Sequence, residues 1–181
     1  RALFGDKSFF FSTSGAAFLM YRSLPGSFVA LGDPVGPQRE WKELLLRFRR
    51  EADLFDASPV FTGISSEELP LYLDMDLSVV KLGERARVDL PAFTIEGGDR
   101  RELRHIVRHL EARGAAFEIV PPDAVGPLLP ELKEVSDAWL RKKKTREKGF
   151  SLGFFSEPYL RQCAHGIVRH QGRIVAFSNL W

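Results

Sequence analysis

The chain has 181 residues, 44% hydrophobic and 28% charged, enough to bury a real core and too ordinary in composition for a disordered, collagenous or coiled-coil protein. Its 26 Lys and Arg against 24 Asp and Glu leave a net charge of +2, so no overall field marks a nucleic-acid binder and electrostatic arguments rest on local clusters. The single cysteine, Cys163, excludes an internal disulfide and fits a reducing compartment, and no run approaches the roughly 20 apolar residues of a membrane-spanning helix.

The opening RALFGDKSFFF does not have the pattern of a signal peptide. Short apolar runs at Phe9 to Ser12, Ala16 to Arg22 and Ser27 to Leu31, broken at Ser14-Gly15 and Pro25-Gly26, predict an antiparallel meander. Trp41, Leu44, Leu45, Phe48, Ala52 and Phe55 then recur at helical spacing opposite Arg47, Arg49, Arg50 and Glu51, which predicts an amphipathic helix on that sheet. Pro59 to Ile64 reads as a buried strand. Ser65-Ser66-Glu67-Glu68 supplies capping residues for a short helix through Tyr72, and Ser78 to Leu82 and Arg85 to Leu90 read as strands. A first α/β unit is thus expected over residues 1–91.

A second unit is expected over residues 92–181. Leu103, Ile106, Val107 and Leu110 form one helical stripe ending near Gly114, Ala116 to Val120 a strand, and Leu129, Leu132, Val135 and Trp139 the core face of a longer helix. His165 to His170 and Arg173 to Leu180 read as a hairpin across Gln171-Gly172. The sequence stops at Trp181 beside an apolar strand, so this second unit is expected to be incomplete.

The familiar phosphate-loop, dinucleotide, CxxC, HExxH and GxSxG motifs are missing. His105 and His109 have zinc-ligand spacing, but no third ligand is evident and a solvated helix face is the better reading. The densest charge cluster runs from Arg141 to Lys148 into the aromatic, glycine-containing Gly149 to Phe155. It suits a polyanion, an RNA end or a lipid phosphate, and equally a solvated helix C-terminus. Arg100, Arg101, Arg104, Arg108 and Arg113 give the helix over 99–113 a face that could track a nucleic-acid backbone or merely meet water. In Ala30 to Pro37, Gly and Pro fix a shaped loop, as a structural turn or a binding loop.

The phrases DKSFFFS, ALGDPVGP, LYLDMDLSVVKLGERARVDLPAF, SDAWL, TREKGFSLGFF, YLRQC and GRIVAFSNLW occur in the order in which similar phrases occur in the multiple peptide resistance factor family. The resemblance runs over essentially the whole chain and is to that family's C-terminal catalytic region. It implies an α/β architecture of tandem acetyltransferase-like (GNAT) folds, here one complete and the front of a second, facing each other across a tunnel. It also implies a preceding membrane domain of several helices, placing the full-length protein at the cytoplasmic face of the bacterial inner membrane.

The implied reaction transfers an aminoacyl group, lysyl by family frequency with alanyl open, from aminoacyl-tRNA to the glycerol hydroxyl of phosphatidylglycerol. The product adds positive charge to the membrane and confers resistance to cationic antimicrobial peptides. No metal or redox cofactor is demanded. By resemblance Tyr159 occupies an active-site tyrosine position, and the other catalytic residues fall beyond Trp181. Lys144, Arg146 and Lys148, with Arg100, Arg104 and Arg108, are the candidate contacts to tRNA or lipid phosphate, and Glu147 is a polar partner. Relatives often carry an Asn-Arg pair in the helix corresponding to 100–113, where this chain has Arg108-His109, and if that pair contacts RNA the contact is altered here. The rivals are an acyl-CoA-dependent N-acetyltransferase, whose [RQ]xxGx[GA] pyrophosphate loop is missing, and an inert tRNA- or membrane-binding module.

Overall fold

The structure, a computed structural model, describes residues 2–181. Among the described residues it is a mixed α/β protein with two sheets and five α-helices. The chain falls into two compact units, Arg1–Lys81 with Lys148–Phe154, and Leu82–Glu147 with Phe155–Trp181.

In the first unit β1 (Ser8–Phe11), β2 (Phe18–Leu24) and β3 (Ser27–Leu31) form the predicted antiparallel meander, and β4 (Ser58–Thr62) lies parallel to β3, giving the order β1-β2-β3-β4. A parallel neighbour needs a crossover, and α1 (Trp41–Leu54) supplies it. The spacing predicted for α1 holds at Leu44, Leu45, Phe48 and Ala52, all fully buried, whereas Phe55, expected on the same face, lies past the helix end and is 65% exposed; burying a leucine or phenylalanine contributes about 1.5–3 kcal/mol. Phe48 is the hub. Its ring meets those of Tyr21, Phe10, Phe61 and Phe28 at 5.2, 5.5, 5.7 and 6.1 Å. The short helix α2 (Leu69–Leu73) buries Tyr72 on the same core.

Two sequence expectations fail beyond α2. Ser78 to Leu82 and Arg85 to Leu90 form no strands, and Val80, Leu82, Val88 and Leu90 are 60–86% exposed. Alternating side chains fit a pleat, but a strand also needs a ladder partner, and here none of the described strands pairs with them.

The second unit is built on β5 (Ala115–Val120), β6 (Ala164–His170) and β7 (Arg173–Leu180), all antiparallel in the order β5-β6-β7. The β6–β7 hairpin turns where predicted, with Gln171 and Gly172 at φ +51° and +79° as a primed two-residue turn requires. Helix α4 (Leu129–Lys142) packs along β7 and buries Leu129 and Leu132; Trp139, expected on the core face, is 56% exposed. Helix α3 (Arg101–Glu111) forms as predicted, yet Leu103, Ile106, Val107 and Leu110 are 42–47% exposed. Periodicity identified the stripe but not what would cover it.

Candidate functional site

Tyr159 lies on the single-turn helix α5 (Glu157–Leu160) and is buried at 6% exposure. Its hydroxyl accepts a hydrogen bond from Trp181 Nε1 at 2.8 Å, and the two rings lie 5.4 Å apart. Accepting that bond polarises the phenol and makes its own O–H a stronger donor. Just downstream, Cys163 Sγ sits 3.9 Å from His165 Nε2, and His165 is fully buried with no hydrogen-bond partner for Nδ1 among the described residues. Burial pushes the Cys163 thiol up and the His165 imidazole down, the latter partly offset by a backbone hydrogen bond involving Cys163. Both groups are therefore held neutral, and the pair is core rather than an activated nucleophile and base.

The basic run begins where α4 ends. Arg141 and Lys142 occupy its last turn, where cations complement the helix dipole, and Lys144 takes a left-handed conformation at φ +50° as the chain turns away. Lys144, Arg146 and Lys148 are all exposed, and Glu147 Oε1 accepts the Phe155 N–H at 3.1 Å. Between α4 and β7 lies a groove of about 1070 Å³. Val135, Trp139 and Phe177 give it apolar faces, and Arg141 and Arg173 are among the cations lining it. Glu131, Glu134 and Asp137 line it as well, so the groove offers ring surface beside mixed charge rather than a cationic bed.

On α3 the predicted cations divide. Arg104 donates to the carbonyls of Ile95 and Gly97 and so closes its own entry turn, while Arg100 lies 5.3 Å from the Phe93 ring. Arg108 is exposed in the last turn. The His105 and His109 rings stack at 5.9 Å, and among the described residues no three His, Cys, Asp or Glu side chains group as metal ligands.

Sequence reasoning passed over Asp33. Its carboxylate accepts the Ser65 N–H at 2.9 Å and the Tyr72 hydroxyl at 3.0 Å, tying the Gly/Pro-rich loop after β3 to the start of the α2 segment. Burial first, then the Asp33 charge, raises the Tyr72 phenol far above its ordinary value, so it stays a donor at every physiological pH. The one signal was an acid placed between Gly32 and Pro34, where no helix or strand needs it. Trp181 was likewise read only as the end of a strand, since indole-to-phenol pairing has no sequence signature.

The family model for the C-terminal region of phosphatidylglycerol lysyltransferase matches residues 1–181. The chain belongs to that family. Within the lysyltransferase C-terminal family, a phosphatidylglycerol lysyltransferase from Bacillus subtilis (strain 168) is 40% identical over 177 residues, covering 97% of this chain and 20% of the relative. One from Staphylococcus aureus (strain COL) is 36% identical, with 97% and 21% covered. This family member therefore spans about a fifth of the length of the curated relatives it matches. Among solved structures, L-PGS from Bacillus licheniformis superposes with a TM-score of 0.89 at 39% identity, over 98% of this chain and 56% of that one. The C-terminal DUF2156 domain from Agrobacterium fabrum gives 0.90 at 39%, over 97% and 56%. No helix among the described residues is long and apolar enough to cross a membrane.

Proposed function

We propose that the chain is part of the catalytic region of an aminoacyltransferase that moves a lysyl group from lysyl-tRNA to phosphatidylglycerol. The observation carrying this reading is the family match along all 181 residues, together with relatives named for that lipid and that amino acid. The tandem GNAT arrangement is part of the same proposal, and two compact α/β units support it.

The chemistry needs little from the protein. A glycerol hydroxyl oxygen attacks the ester carbonyl, the bond to the tRNA ribose oxygen breaks, and the hydroxyl proton ends on that ribose oxygen. The ester is already activated, so catalysis consists of aligning two large substrates, assisting proton transfer and stabilising the developing oxyanion. Tyr159 is the proposed contact in this chain. Its phenol, polarised by Trp181, suits donation to an oxyanion. The exposed cations Lys144, Arg146 and Lys148, and Arg108 on α3, are the proposed contacts to substrate phosphates, and binding to tRNA and to the cytoplasmic membrane face belongs to the same reading.

The test is to incubate the full-length natural protein with phosphatidylglycerol and either lysyl-tRNA or alanyl-tRNA and to weigh the lipid product by mass spectrometry. A lysyl mass increment is expected; an alanyl increment corrects the donor, and an unmodified lipid removes the proposal. Tyr159→Phe should lower kcat about 100-fold, the size of effect typical of losing one oxyanion donor, and unchanged turnover would take Tyr159 out of the site.

A further inference from the structure

The Lys148–Phe154 segment belongs to the first compact unit although the chain on either side of it belongs to the second. Asp6 holds it there. Asp6 Oδ2 accepts the Phe150 N–H at 2.8 Å and Arg22 Nη2 at 3.1 Å, and Lys7 Nζ donates to Oδ1. Arg22 also donates to the Asp6 carbonyl at 3.0 Å. The Phe150 ring sits 5.4 Å from the Arg22 guanidinium carbon and 5.7 Å from Lys7 Nζ. Gly149 and Gly153 exchange two backbone hydrogen bonds of 3.1 Å, and Phe4 lies so close to Gly153 that a Cβ there would fall 2.8 Å from its ring. Phe150 itself is held at φ +40°, a conformation that a bulky residue keeps only where its surroundings over-determine it.

So firm a clamp on so short a loop has an outward consequence. Phe150 and Phe154 are half-buried and engaged by neighbours, the first by Arg22 and Lys7 and the second by Phe4 at 5.2 Å, which leaves little ring surface for a nucleobase to stack on. What it presents instead is Leu152, 70% exposed, with the exposed Lys148 at its start. An apolar tip beside a cation matches an anionic bilayer, where the leucine enters the acyl boundary and the ammonium meets lipid phosphate.

We propose that the Lys148–Phe154 loop is a docking element for anionic phospholipid, with Asp6 as the positioning residue that holds Leu152 and Lys148 in register with the lipid. This rests on the lipid-acceptor part of the function proposed above.

The test uses the full-length natural protein in two assays. In mixed micelles, Leu152→Ser and Asp6→Ala should each raise KM for phosphatidylglycerol about fivefold, the order expected from removing one anchor at a lipid surface, while KM for lysyl-tRNA stays unchanged. Asp6→Asn, which keeps an acceptor for the Phe150 N–H, should recover most of the loss, and Leu152→Ser should melt like the parent. A rise in KM for lysyl-tRNA instead would make the loop an RNA contact and overturn the proposal.

The second assay needs no turnover. Photoactivatable phosphatidylglycerol in lipid nanodiscs should label the 148–154 peptide, and Asp6→Ala should reduce that labelling severalfold. If the parent protein transfers no lysine to the lipid, the function fails and this labelling alone decides the loop. Absence of label from 148–154, or label indifferent to Asp6→Ala, would sink it.

Discussion

Single residues constrain this fold most sharply where backbone meets backbone. A Cβ on Gly36 would lie 2.4 Å from the Ala16 carbonyl oxygen and 2.7 Å from Ala17 Cα, at φ +122°, and neither neighbour can yield without moving β2. Gly36→Ala should therefore cost about 3 kcal/mol or more in urea unfolding, whereas Gly83→Ala, with open space around it, should stay within about 0.5 kcal/mol. His165 makes a different kind of point. Burial depresses its folded pKa below the ordinary value, so as pH falls through the mid-6 range the unfolded chain takes up a proton that the folded one refuses. The stability contributed by neutral His165 is thus present above the unfolded pKa and lost on acidification. His165→Leu should flatten the decline in Tm between about pH 7.5 and pH 5.5; an unchanged decline would show that His165 is not its source. Asp6 acts lower on the scale. Burial raises its pKa, but the Lys7 hydrogen bond, the Phe150 N–H and the two cations outweigh that and leave it lowered. Its contribution is present above the ordinary carboxylate range and disappears only as pH falls through the depressed folded value.

At the scale of elements, the sequence was most legible where one segment carried its own reason for folding. The spacing along α1, the Gln171-Gly172 turn and the three-strand meander all appear within a residue or two of prediction, because periodicity and turn chemistry are local properties. Phe48→Ala tests the first of these: it empties a fully buried site ringed by four aromatics and should cost about 3–5 kcal/mol by chemical denaturation. Elements that depend on a distant partner were read less well. Residues 78–90 alternate like a strand yet join no described strand, and the α3 stripe repeats like a core helix yet stays half exposed, since a pattern states which face wants covering and not what covers it. The site divides along the same line. The basic run shows in the charge pattern and Tyr159 was placed only by the family resemblance, whereas the clamp formed by Asp6 and Arg22 on Phe150 joins positions 144 and 128 residues apart, with no local signal.

Across these 181 residues a net charge of +2 gives only a weak field, so any affinity of this region for a polyanion has to come from where charge is concentrated. Between Arg141 and Lys148 there are six cations and one acid, while α1 mixes Lys42, Arg47, Arg49 and Arg50 with Glu43, Glu51 and Asp53. Counterion release makes these two segments separable by salt. If α4 and the residues after it hold the tRNA backbone, each phosphate left without its cation should flatten the plot of log affinity against log salt by about 0.7 to 0.9. Substituting alanine at Lys142 and Lys143 should therefore lower tRNA affinity at about 50 mM salt and flatten that slope by about 1.4 to 1.8. The matching change at the exposed Lys42 and Arg50 of α1 should do neither. The comparison uses the same protein, the same tRNA and nearly the same change in total charge, so a segment-specific loss of slope assigns the phosphate binding to the basic run. Equal losses from both variants would mean that tRNA responds only to bulk charge, and α4 would then have no special part in binding it.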